Sequence, residues 1–225
     1  MAEIVPVAKI YTPFSSKFGI PRQSGLAGIR GKIVFEPAFR SPEAVRGIEG
    51  FSHLWLIWEF SEAKRNGNAL TVRPPRLGGN ERVGVFASRS PYRPNSLGLS
   101  CVKLIRVGYE EQNAPVLYVE GADMLSGTPI FDIKPYLPFT DSIPDASGGF
   151  ADEVKDQSAE VTFCCDVSSF DSVFLTQLSQ VLSGDPRPHY QNDPERVYSF
   201  EFGGVHVGFV FSGKTIKVTR LEPQS

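Results

Sequence analysis

Arginine, tyrosine and amide side chains are concentrated in one proline-rich segment, residues 86–98. Proline fixes the backbone φ angle, so Pro91 and Pro94 are expected to hold the segment in a stiff loop that presents Arg89 and Arg93. A stiff loop loses little conformational entropy on binding, and the planar guanidinium group pairs with carboxylates and phosphates through two hydrogen bonds. The segment is therefore a candidate platform for a ligand.

A second polar segment, residues 121–136, places Asp132, Lys134 and Tyr136 two residues apart. Alternate residues of a β-strand point to the same side, so a strand here would bring a carboxylate, an amine and a phenol together. On a buried side these groups would shift one another's pKa, as acid–base sites do. On an exposed strand face they would have no such role. The spacing alone favours the exposed face and leaves the catalytic interpretation open.

The basic residues are unevenly distributed along the chain. Residues 64–106 hold nine lysines and arginines and one acidic residue, Glu81. The balance is +3 for residues 1–145 and −5 for residues 146–225, which gives the net charge of −2. An arginine-rich segment is typical of proteins with an anionic partner such as nucleic acid or a nucleotide-like ligand. A solvated basic face balanced by the acidic C-terminal part explains the same numbers, so charge leaves both interpretations open.

Several common active-site patterns do not occur in the sequence. The three histidines, His53, His189 and His206, are far apart and have no cysteine or carboxylate at metal-ligand spacing, so no metal site is expected. Glycine-rich nucleotide loops and the Gly-x-Ser-x-Gly motif are also missing. A nucleotide or cofactor site must therefore be built from loops and strand ends. Three cysteines, short apolar runs and a start without signal-peptide features favour a cytoplasmic protein.

Short strands dominate the first part of the chain. A chain of 225 residues that is 41% hydrophobic can bury a large core, and its 21 glycines and 18 prolines favour strands and turns over long helices. Predicted strands cover residues 4–10, 29–35, 51–60, 83–87, 97–107, 116–120 and 130–134. The strand at 51–60 is apolar on both faces and should be central, with Trp55 and Trp58 in the core. Such a series indicates a barrel or a sandwich.

The pattern changes after residues 138–150, which are rich in proline, serine and glycine and form the best domain boundary. An amphipathic helix over residues 169–182 is followed by three alternating strands, the composition of a small meander covered by one helix. We therefore expect two domains, residues 1–145 and a small α+β domain of residues 146–225.

Five long runs resemble the family of tRNA N6-threonylcarbamoyladenosine methyltransferases, in the same order and over nearly the whole chain. They are residues 45–55, 72–80 (Val-Arg-Pro-Pro-Arg-Leu-Gly-Gly-Asn), 84–95, 132–138 (Asp-Ile-Lys-Pro-Tyr-Leu-Pro) and 185–190 (Asp-Pro-Arg-Pro-His-Tyr). The resemblance implies a mainly β fold, with an N-terminal β-barrel of short, mostly antiparallel strands and a small C-terminal α+β domain. It also implies a homodimeric enzyme that transfers a methyl group from S-adenosyl-L-methionine to N6 of threonylcarbamoyladenosine at position 37 of tRNA.

The resemblance implies a set of cofactor contacts on loops and strand ends. They are Arg22, Gln23, Ser24, Ser61, Glu62, Arg89, Leu99, Gly127, Thr128 and Pro129. These residue types suit the cofactor, because a sulfonium cation favours aromatic faces and carboxylates and a methionine carboxylate needs a donor such as Arg89. Ser126 stands where some members have aspartate, which leaves a direct role for that side chain open.

The chemistry that the resemblance implies needs a base, because the N6 lone pair is delocalised until its proton leaves. Asp132 is the first candidate, followed by Tyr136 and Glu62. Arg93 and Lys134 are expected to hold the threonyl carboxylate or to stabilise charge on the carbamoyl oxygen. Phosphates of the anticodon loop would be contacted by Arg73, Arg76 and Arg82.

Two other functions fit parts of the sequence. A non-catalytic RNA-binding barrel would use the arginine-rich segment, and it would bind tRNA with a steep salt dependence but no cofactor. A small-molecule methyltransferase on the same barrel would bind the cofactor but not tRNA.

Overall fold

The computed structural model describes residues 3–63, 70–74, 81–109, 112–154, 158–187 and 196–224. The strands are β1 (Ala8–Tyr11), β2 (Arg30–Phe35), β3 (His53–Glu59), β4 (Thr71–Val72), β5 (Val83–Gly84), β6 (Leu97–Gly108), β7 (Val116–Glu120), β8 (Thr128–Pro135), β9 (Glu160–Phe163), β10 (Tyr198–Phe202), β11 (Val205–Ser212) and β12 (Thr215–Pro223). The α-helices are α1 (Pro138–Asp141) and α2 (Ser172–Ser183). Short 3₁₀ helices cover Pro37–Phe39, Pro42–Val45, Ile48–Gly50, Val85–Ala87 and Gly149–Val154.

Six strands close into a barrel in the order β1-β2-β7-β6-β3-β8. Every neighbouring pair is antiparallel. Apolar residues alternate along each strand and fill the interior, where Ile10, Ile33, Leu54, Leu56 and Ile130 are fully buried. Closure joins the two edges that an open sheet would expose. The predicted mainly β fold with an N-terminal barrel is confirmed.

The strand β3 has one buried face and not the two that its sequence predicts. Leu54, Leu56 and Trp58 point into the barrel, whereas Trp55 and Ile57 on the outside are half-buried. A barrel has only one packed interior, so the outer apolar residues of a wall strand are covered by whatever lies outside it. Trp58 is a core residue as predicted, and its indole N–H donates to the Ser100 hydroxyl at 2.9 Å.

The C-terminal sheet has the order β10-β11-β12-β9. The predicted meander is β10–β12, and β9 adds a fourth strand parallel to β12. Helix α2 begins after Asp171, whose carboxylate accepts from the backbone N–H of Phe174 at 2.7 Å. The buried residues of α2 join the same apolar core as the sheet.

The barrel and the C-terminal sheet share this continuous apolar core. The connection between β1 and β2 provides the contact: the rings of Phe14 and Phe202 lie 5.5 Å apart, and those of Phe18 and Phe200 lie 5.7 Å apart. The backbone N–H of Gly203 also donates to the Pro13 carbonyl at 2.9 Å. One long connection of the barrel is therefore held between the two sheets.

Candidate active site

Three connections between strands lie at one end of the barrel. Because the strands are antiparallel, β1, β3 and β7 end where β2, β6 and β8 begin, as the pairs Ile10–Thr128, Arg30–Glu120 and Glu59–Leu97 show. The connections at this end are residues 12–29, 60–96 and 121–127. We call this end the site mouth and these segments its first, second and third connections.

The first connection completes an edge of the barrel. Strand β7 stops at Glu120, and Gly121 turns the chain away with a φ of 92°. In the space beyond it the Ser24 hydroxyl accepts from the backbone N–H of Cys101 on β6 at 3.1 Å. The backbone N–H of Gly25 donates to the Gly121 carbonyl at 3.0 Å. Ser24 thus satisfies a strand N–H that β7 leaves unpaired, which fixes its neighbours Arg22 and Gln23 at the mouth.

The second connection meets the first through two side chains that the resemblance implies as cofactor contacts. The Arg89 guanidinium donates to the Gln23 side-chain carbonyl. Arg93 donates to the Ser88 carbonyl within its own loop at 3.1 Å, and the Ser88 hydroxyl donates to the Val85 carbonyl at 2.9 Å. Hydrogen bonds therefore stiffen this loop in addition to its prolines.

Asp123 on the third connection is a candidate site residue that the sequence did not indicate. Its carboxylate accepts from the Ser100 hydroxyl at 2.6 Å and from the backbone N–H of Ser24. Burial raises the pKa of Asp123 to about 6, against the opposing effect of these hydrogen bonds and of the nearby Arg89 charge. Its partners lie on three separate segments, so no local spacing could have indicated it.

Three further residues that the resemblance implies as cofactor contacts, Gly127, Thr128 and Pro129, lie where the third connection meets β8. Gly127 has a φ of 84°, which favours glycine, and its N–H donates to the Ile10 carbonyl at 2.8 Å. The hydroxyl of the buried Thr128 donates to the Leu125 carbonyl at 2.7 Å. Pro129 pairs with Lys9 of β1. These contacts hold the backbone of residues 127–129 at the site mouth.

Residues with exposed or half-exposed side chains surround the Arg89–Gln23 and Asp123–Ser100 contacts. Ser61 is half-buried and Glu62 is exposed just after β3, and the Glu62 carbonyl accepts from the Lys17 ammonium group. Leu99 at the start of β6 is 57% exposed, and Phe86 on the second connection is 77% exposed. All of these lie on the connections or strand ends of the site mouth.

Asp132 and Lys134 lie on the outer face of β8. The Lys134 ammonium nitrogen is 3.0 Å from a carboxylate oxygen of Asp132, with side chains that are 62% and 46% exposed respectively. The exposed-face interpretation is the one that the structure shows, and the interpretation as a buried row is wrong. Asp132 pairs with Ile57, which pairs with Leu99, so these three residues follow one another across the outside of the wall.

Tyr136 lies at the other end of the wall. It follows the last residue of β8, and its backbone N–H donates to the His53 carbonyl at 2.9 Å. Its ring packs 5.8 Å from that of Trp55. Eight residues of extended chain separate it from Thr128, or about 26 Å. The structure therefore does not bring Tyr136 to the site mouth.

Arg73 and Arg82 flank the two-stranded ribbon β4–β5 within the second connection. Both are exposed, and Arg82 donates to the Thr71 hydroxyl at 3.4 Å. The ribbon carries these two charges beside the mouth. Arg76 and His189 lie outside the described residues.

Within the described ranges, no three histidine, cysteine, aspartate or glutamate side chains are grouped so that they could hold a metal ion. Within the same ranges, every helix is too short or too polar to cross a membrane.

Comparison with known proteins places this geometry in a family. Residues 9–142 match the model of the tRNA-methyltransferase O N-terminal domain, and residues 151–224 match that of the TrmO C-terminal domain. The Escherichia coli tRNA (adenine(37)-N6)-methyltransferase is 38% identical over 97% of both chains. A Pseudomonas aeruginosa protein with the provisional name S-adenosylmethionine-dependent methyltransferase RcsF is 40% identical over 87% of this chain and 86% of its own. A crystal structure of TrmO from P. aeruginosa covers 99% of this chain and 97% of its own, with a TM-score of 0.78 and 31% identity. The chain therefore belongs to the tRNA-methyltransferase O family.

Proposed function

We propose that this protein transfers a methyl group from S-adenosyl-L-methionine to N6 of adenosine 37 of tRNA, in its threonylcarbamoyl-modified form. The observation that carries the proposal is the convergence of Arg89, Gln23, Ser24 and Asp123 from three connections at one mouth of the barrel. The names of the E. coli and P. aeruginosa relatives agree with this chemistry.

The residues at the site mouth fit the bound cofactor. S-adenosyl-L-methionine supplies an activated methyl group on a sulfonium centre and carries a carboxylate, an ammonium group and a purine. Arg89 and Gln23 offer donors for the carboxylate, while Asp123 and Glu62 offer oxygens for cationic groups. The exposed side chains of Leu99 and Phe86 offer apolar surface for the purine. Arg22, Ser24, Ser61, Gly127, Thr128 and Pro129 complete the proposed binding set.

Asp132 is the proposed base and Lys134 the proposed partner of the substrate's carboxylate. Both lie on the outer face of β8, where Asp132 is opposite Ile57 and Lys134 is opposite Trp55 on β3. Ile57 is in turn opposite Leu99 on β6. With neighbouring strands about 4.8 Å apart, Leu99 and Asp132 are separated by about 10 Å. An extruded adenosine can span this interval, so the outer face of β3 and β8 is the proposed landing place for the nucleotide. Arg93 on the second connection is the second proposed partner of the substrate, and Tyr136 is the more remote candidate for the base.

The tRNA backbone is proposed to lie along the arginines of the second connection. Arg73 and Arg82 flank a two-stranded ribbon next to the mouth, and Arg76 belongs to the same sequence segment. Contacts of this kind bind phosphate without reading sequence. We also propose a cytoplasmic homodimer, which is supported by the exposed apolar side chains of Phe139 and Ile143 just after β8. Light scattering on the purified protein tests the dimer.

The proposed function is tested with purified protein, methyl-labelled S-adenosyl-L-methionine and tRNA that carries threonylcarbamoyladenosine. We expect label at N6 of that nucleoside after digestion. Calorimetry with the cofactor and tRNA binding at several salt concentrations separate the two alternatives. Binding of tRNA without the cofactor indicates a non-catalytic RNA-binding barrel, and binding of the cofactor without tRNA indicates a small-molecule methyltransferase.

A further inference from the structure

An enclosed ion pair joins Asp185 and Arg187 just after helix α2. The guanidinium group of Arg187 donates two parallel hydrogen bonds to the carboxylate of Asp185, with Nε–Oδ1 and Nη2–Oδ2 distances of 2.8 and 2.9 Å. Arg187 is only 7% exposed, and its guanidinium carbon lies 3.2 Å from the centre of the Phe211 ring on β11. Asp185 has a φ of 46°, a backbone conformation that residues other than glycine rarely adopt. The pair therefore holds the backbone of Asp185 in a specific turn on the C-terminal sheet.

This turn points a backbone carbonyl at the first connection of the site mouth. The carbonyl oxygen of Asp185 accepts from Nη2 of Arg22 at 3.0 Å. Arg22 is the neighbour of Gln23, which accepts from Arg89, and of the Ser24 segment that seals the edge of β6. A chain of direct contacts thus runs from Phe211 in the C-terminal sheet to Arg89 at the site.

Helix α2 holds the same connection at its other end. The Gln177 side chain donates to the Gly28 carbonyl at 2.7 Å, and the Gly28 N–H donates to the Gln180 side chain at 2.7 Å. Between Arg22 and Gly28 the connection is also bonded to the barrel, through the Ser24 hydroxyl on the Cys101 N–H and the Gly25 N–H on the Gly121 carbonyl. The position of residues 22–25 therefore depends on the C-terminal domain as well as on the barrel.

We propose that the Asp185–Arg187 pair is a positioning device through which the C-terminal domain orders Arg22–Ser24 for cofactor binding. The inference rests on the proposed cofactor site at the mouth. Neither residue touches the reacting groups, and both act through the Asp185 carbonyl on Arg22. The fork geometry is essential to this role, because the ammonium group of lysine keeps the charge but cannot form two parallel bonds in one plane.

The chain contains a matched control pair in the same domain. Arg220 and Glu222 are also two residues apart and also form a charge-assisted hydrogen bond, at 2.6 Å. Their side chains are 57% and 54% exposed, and they lie on β12. Arg220→Lys therefore makes the same chemical change without any contact to Arg22, so its expected effect on the site mouth is small.

The first test follows amide hydrogen exchange in the free, full-length protein. The N–H of Gly25, bonded to the Gly121 carbonyl, reports whether the first connection is seated. Arg187→Lys is expected to speed its exchange about three- to tenfold, the loss expected when one such contact is removed. Arg22→Lys breaks the link from the barrel side and should give the same increase, whereas Arg220→Lys should give none. Unchanged exchange at Gly25 in Arg187→Lys, with β11 still protected, would overturn the proposal.

The second test measures the affinity for S-adenosyl-L-methionine by calorimetry in a double-mutant cycle. Arg187→Lys and Arg22→Lys should each weaken binding, and the double variant should bind no more weakly than Arg22→Lys alone, because both changes cut one link. Additive losses would show that Arg187 acts on stability and not through Arg22. If the wild-type protein does not bind the cofactor, the proposed function fails, while the exchange experiment still decides whether the pair positions the connection.

Discussion

The barrel carries two carboxylates in contrasting surroundings, Asp123 at the site mouth and Asp132 on the outer face of β8. Asp123 accepts hydrogen bonds from Ser100 and from the Ser24 backbone and lies in a partly buried network. Asp132 has a lysine at 3.0 Å and is close to half exposed. The first surroundings hold a group in one place, and the second leave it open to an incoming nucleotide. The proposed function therefore assigns cofactor binding to the site mouth and base catalysis to the outer face of β8.

The largest expected effect comes from Asp132→Asn on the outer face. Removal of a general base lowers turnover by about 10²–10⁴-fold, while the affinity for S-adenosyl-L-methionine should stay within a factor of about two. Steady-state kinetics and calorimetry measure the two quantities separately. Glu36→Gln is a matched control, because Glu36 also pairs with a lysine, Lys9, at 3.5 Å and follows β2 at the opposite end of the barrel. Full turnover in Asp132→Asn would remove Asp132 as the base.

Arg89→Met at the site mouth should lower the affinity for S-adenosyl-L-methionine more than it lowers turnover. It removes the guanidinium that reaches Gln23, and the loss of a charged hydrogen-bond donor is expected to weaken cofactor binding by about 10- to 100-fold. Calorimetry measures this change directly. Arg82→Met on the neighbouring ribbon is the control for charge alone. Equal losses in the two variants would indicate a general electrostatic effect and not a specific contact.

Asp123→Asn should remove a pH dependence of folding stability. The pKa of Asp123 is raised to about 6 by burial, so its contribution is fully present below pH 3.8 and is lost as pH rises through about 6. The difference of two pH units sets an upper limit of about 3 kcal/mol. Denaturant unfolding of wild type and Asp123→Asn at pH 4 and pH 7 measures it. Parallel stability curves for the two proteins over this range would contradict the assignment.

Trp58→Phe should have the smallest effect. The change keeps an aromatic ring over Gly98 but removes the N–H that donates to Ser100, so Ser100 loses one partner in its bridge to Asp123. We expect a loss of about 1 kcal/mol in the free energy of unfolding. Ser100→Ala should cost a similar amount and should not add to Trp58→Phe. Additive losses would show that the network is not connected.

The sequence was sufficient for most of the elements that build the site. Alternation and turn residues predicted the barrel strands, and the prolines of residues 86–98 predicted a stiff loop. Once the strands are antiparallel, the position of each loop in the strand order assigns it to one end, so the common mouth follows from topology. The outward direction of Asp132 depends on which face of β8 meets the barrel interior, and spacing leaves that open.

The features that the sequence did not predict depend on contacts between segments that are far apart in the chain. Asp123 has its unusual pKa because Ser100 and Ser24, from two other segments, enclose it. Strand β9 is short and gains its role only by pairing with β12, 55 positions further along from Glu160 to Thr215. The carbonyl of Asp185 meets Arg22 only after the two domains have packed together. Such contacts leave no periodic signal in a single sequence.

The most direct test of the site is amide hydrogen exchange with and without S-adenosyl-L-methionine, resolved along the whole chain. Binding at the site mouth should slow exchange in residues 20–25, 86–96 and 121–128, the three connections that meet there. Residues 36–52 and 112–115, at the opposite end of the barrel, should exchange as they do in the free protein. Protection confined to that opposite end, or to only one of the three connections, would contradict the account.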